Sequence, residues 1–175
     1  MLTQSTRKGL RLHIGIFGRR NVGKSSLLNA ITRQQVAIVS ELAGTTTDPV
    51  EKPMELLPLG PVLFIDTAGI DDTGALGELR IKKTHSIFNR TDLGIIVTEA
   101  ESYGDFETKL IHELNERKIP LVIVFNKADL NAPESKHREL LLQQNIPCVS
   151  TVAVTNQGIL DLRQALLDAV PPEML

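Results

Sequence analysis

The chain has a single cysteine, Cys148, which excludes an internal disulfide. Its four histidines, His13, His85, His112 and His137, are scattered and, with that cysteine, offer no metal-ligand spacing. A reducing, cytoplasmic setting is therefore expected. Long apolar runs are missing as well: none approaches the roughly 20 residues needed to span a membrane, and none follows residues 1–9 to make a signal peptide. Nor does one sign of charge dominate, since 19 Lys and Arg face 21 Asp and Glu for a net charge of −2. The basic groups are scattered, so neither a polyphosphate-binding face nor a basic membrane-binding helix is in view, and no nucleic acid or membrane partner is expected. What remains is a chain of 175 residues, long enough to bury roughly 70% of its unfolded surface in one domain. Residues 1–9 are expected to form a flexible tail, 10–171 the domain, and 172–175 an end leading to downstream domains.

Short runs of Val, Ile and Leu alternate with longer amphipathic segments, the pattern of a mostly parallel sheet with helices on both faces. Six strands are predicted, at 12–17, 50–57, 62–65, 93–97, 121–125 and 148–152. The second alternates with Glu51, Pro53 and Glu55, which suits an edge strand, and 58–61 turns it back into the third as the sheet's one antiparallel pair. Five helices are expected, over 23–33, 75–88, 106–117, 135–144 and 159–169. The connection from 34 to 48 has no clear periodicity and is too long for an ordinary linker, which marks it as functional.

Gly18-Arg19-Arg20-Asn21-Val22-Gly23-Lys24-Ser25 fits G-x-x-x-x-G-K-S, directly after a buried strand and opening a helix. Such a loop curls backbone N–H groups around a β-phosphate, and the helix N-terminus adds its positive dipole. Arg20, Asn21, Val22, Gly23, Lys24, Ser25 and Ser26 form the expected phosphate-binding set, with Lys24 bridging the β- and γ-phosphates and the Ser25 hydroxyl on magnesium. The side chains of Arg19 and Arg20 are expected to point outward, to solvent or a partner. Asp66-Thr67-Ala68-Gly69 follows another buried strand, bringing the Asp66 carboxylate near magnesium and the Gly69 N–H near the γ-phosphate. Residues 70–79, with two glycines and two aspartates, suit a mobile switch.

Asn126-Lys127-Ala128-Asp129 follows the strand at 121–125. Guanine offers two donors, N1–H and the exocyclic amine, and a carboxylate at Asp129 accepts both, whereas adenine presents an acceptor at N1. The Asp therefore selects guanine. Asn126 is expected to touch the purine edge and tie neighbouring loops, and the Lys127 stem to lie along the base.

In this order, Gly18–Ser25, Gly44-Thr45-Thr46, Asp66–Gly69 and Asn126–Asp129 resemble the GTPase group containing MnmE, Era and Der, over about residues 10–170. The resemblance implies a three-layer, Ras-like P-loop domain that binds and slowly hydrolyses GTP to GDP. It implies that Thr46 closes over magnesium and the γ-phosphate, and that Asn21 helps hold a potassium ion. It also implies backbone contact to the guanine O6 near Val152 and Ala153. Thr47 before Asp48, and the segments Ala43–Val50 and Leu76-Gly77, look closer still to HydF, the maturation GTPase of [FeFe]-hydrogenase. That likeness implies a downstream cluster-binding domain, hydrogenase maturation partners and pairing of GTPase domains through their switch faces.

Ile70 stands where Ras-like proteins place a catalytic glutamine, so potassium at Asn21 is the expected charge-neutralising element. Glu78 is a candidate for positioning water, with a solvated carboxylate at a helix start as its alternative. The expected catalytic set is thus Lys24, Thr46, Gly69 and Glu78. His13 and Cys148 are expected to pack. Two further readings stay open: a tRNA-modification or ribosome-assembly GTPase domain, and a nucleotide-gated interaction module with negligible turnover.

Overall fold

The computed structural model describes residues 12–19, 22–33, 50–56, 60–66, 86–127 and 135–170. The expected tail at 1–9, the 34–48 connection, the hairpin turn and most of the 75–88 helix lie outside them. Among the described residues the strands are β1 (Leu12–Phe17), β2 (Val50–Leu56), β3 (Gly60–Asp66), β4 (Leu93–Thr98), β5 (Leu121–Phe125) and β6 (Cys148–Ser150). The helices are α1 (Lys24–Arg33), α2 (Asp105–Glu116), α3 (Ser135–Gln143) and α4 (Ile159–Ala169), and residues 86–90 are also helical. The sheet order is β2-β3-β1-β4-β5-β6. β2 runs antiparallel to β3 at the edge and the other pairings are parallel, as expected. Pro53 is tolerated because an edge strand has one side without ladder bonds.

Period-two alternation divides the core between two faces. Ile95, Val97, Val122 and Val124 pack with Leu27, Leu28 and Ile31 of α1 and Leu162 and Leu166 of α4. Ile96, Leu121, Ile123 and Phe125 pack with Ile87, Phe88, Leu110, Leu114 and Leu141. Apolar cover on both faces explains why these strands read as unbroken apolar runs. Gly15 completes the second face: a Cβ there would meet the Phe17 ring at 2.8 Å and Thr91 Oγ1 at 2.9 Å.

Small boundary corrections have local causes. α2 starts at Asp105, one residue early, because the Glu107 side chain turns back to accept the Gly104 N–H at 2.8 Å and defines the first turn there. β6 stops at Ser150 rather than 152. The chain then enters a tight loop in which Val152 pairs with Gln157 and residues Ala153–Thr155 form one 3-10 turn. That loop closes on Gly158, whose φ of 82° and whose approach to Ser150 O, 2.2 Å from a would-be Cβ, admit only glycine.

β1 lies between β3 and β4. The carboxyl ends of β1, β3, β4 and β5 therefore gather at one rim of the sheet beside the point where the strand order reverses, the place open α/β sheets use for ligands. Phe64, fully buried in β3, tests the packing between the sheet and α1. Phe64→Ala should cost about 3–5 kcal/mol of stability through the cavity it leaves. Urea unfolding followed by circular dichroism measures it, and a loss below about 1 kcal/mol would show a loosely packed sheet.

Candidate functional site

The turn from β1 into α1 depends on two glycines with positive φ, 155° at Gly18 and 99° at Gly23. A Cβ on Gly18 would lie 2.5 Å from Val97 O, and one on Gly23 would lie 2.2 Å from Asn126 Nδ2. The backbone thus passes against β4 on one side and against the Asn126 side chain on the other. Lys24 opens α1 and is nearly buried, with Nζ donating to Gly18 O at 2.6 Å and Arg19 O at 3.0 Å. Its ammonium is folded into the turn that the loop makes. The first turn of α1 contains no acidic residue, so nothing there cancels the positive end of the helix dipole. Ser25 and Ser26 follow with exposed side chains. Arg20 and Asn21 lie outside the described residues.

Asp66 ends β3, level with Ile16 of β1 in the parallel register and so beside the loop that starts at Gly18. The residue is buried, and its Oδ1 accepts no hydrogen bond among the described residues. A carboxylate here and the Ser25 hydroxyl are hard oxygen donors of the kind magnesium takes. Thr46, Gly69 and Glu78 fall outside the described residues, as do Thr45 and the switch at 70–79.

Asn126 joins the two halves of the rim. Its Nδ2 donates to Val22 O at 3.0 Å, and its Oδ1 accepts from Thr151 Oγ1 at 2.8 Å and from the Ala153 N–H at 3.1 Å. Only one orientation of the amide satisfies an acceptor on one side and two donors on the other. Its own N–H donates to Thr98 O at 2.8 Å. The loop-tying role expected of Asn126 is thus present, and Val152 and Ala153 stand beside it. Lys127 has a left-handed backbone, φ 57°, and an ion pair to Glu99 at 2.9 Å. Asp129 lies outside the described residues.

Arg19 departs from the sequence reading. Its side chain folds onto α2, with Nε 3.0 Å from Glu107 Oε2 and the guanidinium 5.0 Å from the Phe106 ring centroid. A buried carboxylate on α2 needs a cation, and this arginine is in reach, so the outward, solvent-facing expectation is corrected. Thr151, Thr98 and Glu107, each fully buried and polar, lie outside the motifs of the sequence and join the site only through the fold. For Glu107 a signal existed: it stands three residues after Gly104, the spacing of a helix-capping glutamate. Cys148 packs as expected beside the second core cluster, and burial pushes its thiol pKa up, which disfavours the thiolate. His13 packs only in part, with its backbone N–H donating to Asp92 Oδ2 at 2.9 Å and its ring 31% exposed.

Residues 13–127 match the family model described as 50S ribosome-binding GTPase. The chain belongs to this GTPase family. It is 38% identical over 161 residues to the tRNA modification GTPase MnmE of Cyanothece sp. (strain PCC 7425 / ATCC 29141), covering 91% of this chain and 34% of that protein. GTPase Der of Wolinella succinogenes is 31% identical over 166 residues, covering 89% of this chain and 35% of its own. In fold, the chain is similar to a point variant of Aquifex aeolicus Era bound to GDP.AlF4-, with a TM-score of 0.69 at 23% identity over 91% of this chain and 56% of that one. The chain thus spans about a third of the length of the curated relatives it matches. The expected three-layer Ras-like P-loop fold is the fold observed. No described helix is long and apolar enough to cross a membrane.

The Asn126 junction yields a graded prediction. Thr151→Val removes one donor while keeping the shape, at an expected cost of about 1 kcal/mol. Asn126→Ala leaves Val22 O, Thr151 Oγ1 and the Ala153 N–H without their partner, for about 2–4 kcal/mol. Denaturant midpoints of the two variants measure the difference, and equal losses would mean that the amide does not bind the loops together.

Proposed function

We propose that the chain is the nucleotide-binding, GTP-hydrolysing domain of a longer tRNA-modification GTPase of the MnmE type. The junction at Asn126, where the loop at 18–25 meets the loop at 126–129, carries the nucleotide part of this reading. In it, Arg20, Asn21, Val22, Gly23, Lys24, Ser25 and Ser26 wrap the phosphates. Lys24 turns its ammonium toward the β- and γ-phosphates and holds the charge that develops between them during transfer. Asn126, Lys127 and Asp129 hold the base, with the Asp129 carboxylate accepting from both guanine donors and the backbone at Val152–Ala153 facing O6. Ser25, Thr46 and Asp66 would hold magnesium, which supplies charge neutralisation at the phosphate oxygens when bound. Gly69 offers its N–H to the γ-phosphate, and Glu78 orients water.

The tRNA-modification part is supported by the MnmE relatives, such as the one 38% identical over 161 residues. The hydrogenase-maturation reading keeps in its favour the sequence departure at Thr47-Asp48 and the segments around it. Asn21 as a potassium ligand and pairing of two copies through the switch faces belong to the same proposal, because Ile70 cannot orient water by hydrogen bonding.

Two measurements test it. Asp129→Ala should lower GDP affinity by about 10³-fold or more, since both guanine donors lose a charged acceptor. Calorimetry giving a loss smaller than tenfold would remove Asp129 from base reading. For the cation, single-turnover GTP hydrolysis should run faster in potassium than in sodium at fixed ionic strength, and Asn21→Ala should abolish the difference. Identical rates in the two salts would defeat the potassium assignment while leaving GTP binding untouched.

A further inference from the structure

Glu107 is the least expected charged group in the described structure. It sits at the third position of α2 with no exposed surface, 88 residues along the chain from its cation, Arg19. Four donor atoms reach it, one of them the Thr98 hydroxyl, which also lies 3.3 Å from Glu99 O. Oε1 accepts from the Gly104 N–H at 2.8 Å and from Arg19 Nη2 at 3.4 Å, and Oε2 accepts from Arg19 Nε at 3.0 Å and from Thr98 Oγ1 at 3.2 Å. A helix cap needs one of these bonds, the one to Gly104. The other three reach out of the helix.

The partners of those three bonds lead to both loops of the candidate site, one standing in the phosphate loop and the other at the strand end beside Asn126. Arg19 is the second residue of the phosphate loop, and its carbonyl is one of the two that receive Lys24 Nζ. Thr98 ends β4, and its carbonyl receives the Asn126 N–H. The next residue, Glu99, holds Lys127. A bidentate guanidinium–carboxylate pair fixes both the distance and the plane of its two side chains, a constraint a lysine could not impose. The Phe106 ring holds the same guanidinium, so Arg19 has little freedom to swing.

We propose that Glu107 is a positioning residue for the nucleotide site. Through Arg19 it sets where the first turn of the phosphate loop, and hence Lys24, stands relative to the β-phosphate. Through Thr98 it refers that turn to the strand end that carries Asn126. The proposal rests on the nucleotide-binding reading above. Glu107 lies outside the phosphate, magnesium and guanine motifs read from the sequence.

The test uses the full chain saturated with GDP and ³¹P nuclear magnetic resonance, which reports the surroundings of each phosphorus in the fully bound state. Arg19→Lys keeps the charge and loses the fork, at a side chain 36% exposed, so the fold survives. Glu107→Gln keeps the shape and loses the charge. Both variants should shift the β-phosphorus resonance and leave the α-phosphorus resonance near its position. GDP affinity should fall about tenfold in each, with the double variant no weaker than the weaker single one, as coupled neighbours require. A β-phosphorus resonance at the unaltered position in Arg19→Lys would overturn the proposal whatever the affinity, because stability alone does not move the resonance of a bound phosphate. Additive losses in the double variant would overturn it equally. If no nucleotide binds the unaltered chain, the proposed nucleotide function fails first, which separates the two failures.

Discussion

The hydrogen bonds of one amide side chain, Asn126, hold the candidate site in its shape. Their energy is modest, but an amide in this position cannot be approximated by another group. It must donate to the carbonyl of Val22 and accept from Thr151 and Ala153 at once, and an amide side chain carries both functions on one small planar group without a change of protonation. Gly23 already lies so near that a single added carbon would reach 2.2 Å from Nδ2. Glycine at 23 and asparagine at 126 are therefore one requirement expressed at two positions. Each makes sense only with the other in place.

Around this junction the charges form a short relay. Lys24, nearly buried, rests on two backbone carbonyls of the turn it belongs to. One of those carbonyls belongs to Arg19, which in turn is held by Glu107 on α2. Lys127 is held by Glu99 at the end of β4. Each of these cations near the candidate phosphate and base positions thus has a named protein partner. The buried carboxylate at Glu107 carries a risk, since removing its cation would strand a charge in the interior. Four donor contacts on its two oxygens, three of them from outside its own helix turn, show how that risk is met.

The layered fold was legible in the sequence because both faces of the sheet are covered. Strands such as Leu121–Phe125 then read as unbroken apolar runs, and the edge strand betrayed itself through Pro53 and its alternating glutamates. The phosphate and guanine motifs stand out in the sequence because each is a continuous string whose residue types answer to one ligand group, though Arg20, Asn21 and Asp129 lie outside the described residues. What connects them does not stand out. The bonds from Asn126 to Val22 and from Arg19 to Glu107 join residues 104 and 88 positions apart, and no local pattern records such a pairing. Arg19 was misread for this reason: taken alone it is an arginine in a surface loop, and its partner becomes visible only when α2 is packed against the end of β1. Thr151 was passed over because a threonine after a strand has no signature until an asparagine oxygen is set beside it.

Family membership fixes the class of chemistry, and the described side chains tie the loop at Val22 to the loop at Thr151–Ala153 through Asn126; under the proposed function, phosphate grip and base reading form one mechanical unit. Titration calorimetry of GDP into Asn126→Asp addresses this directly. That variant keeps an acceptor for Thr151 and Ala153 but loses the donor to Val22 O, so the bonds to the loop after β6 stay in place while the tie to the phosphate loop is cut. The account predicts GDP affinity reduced at least about tenfold in a chain that still folds, the size expected for an unsatisfied buried carbonyl facing a new charge. Binding within threefold of the unaltered chain would contradict it.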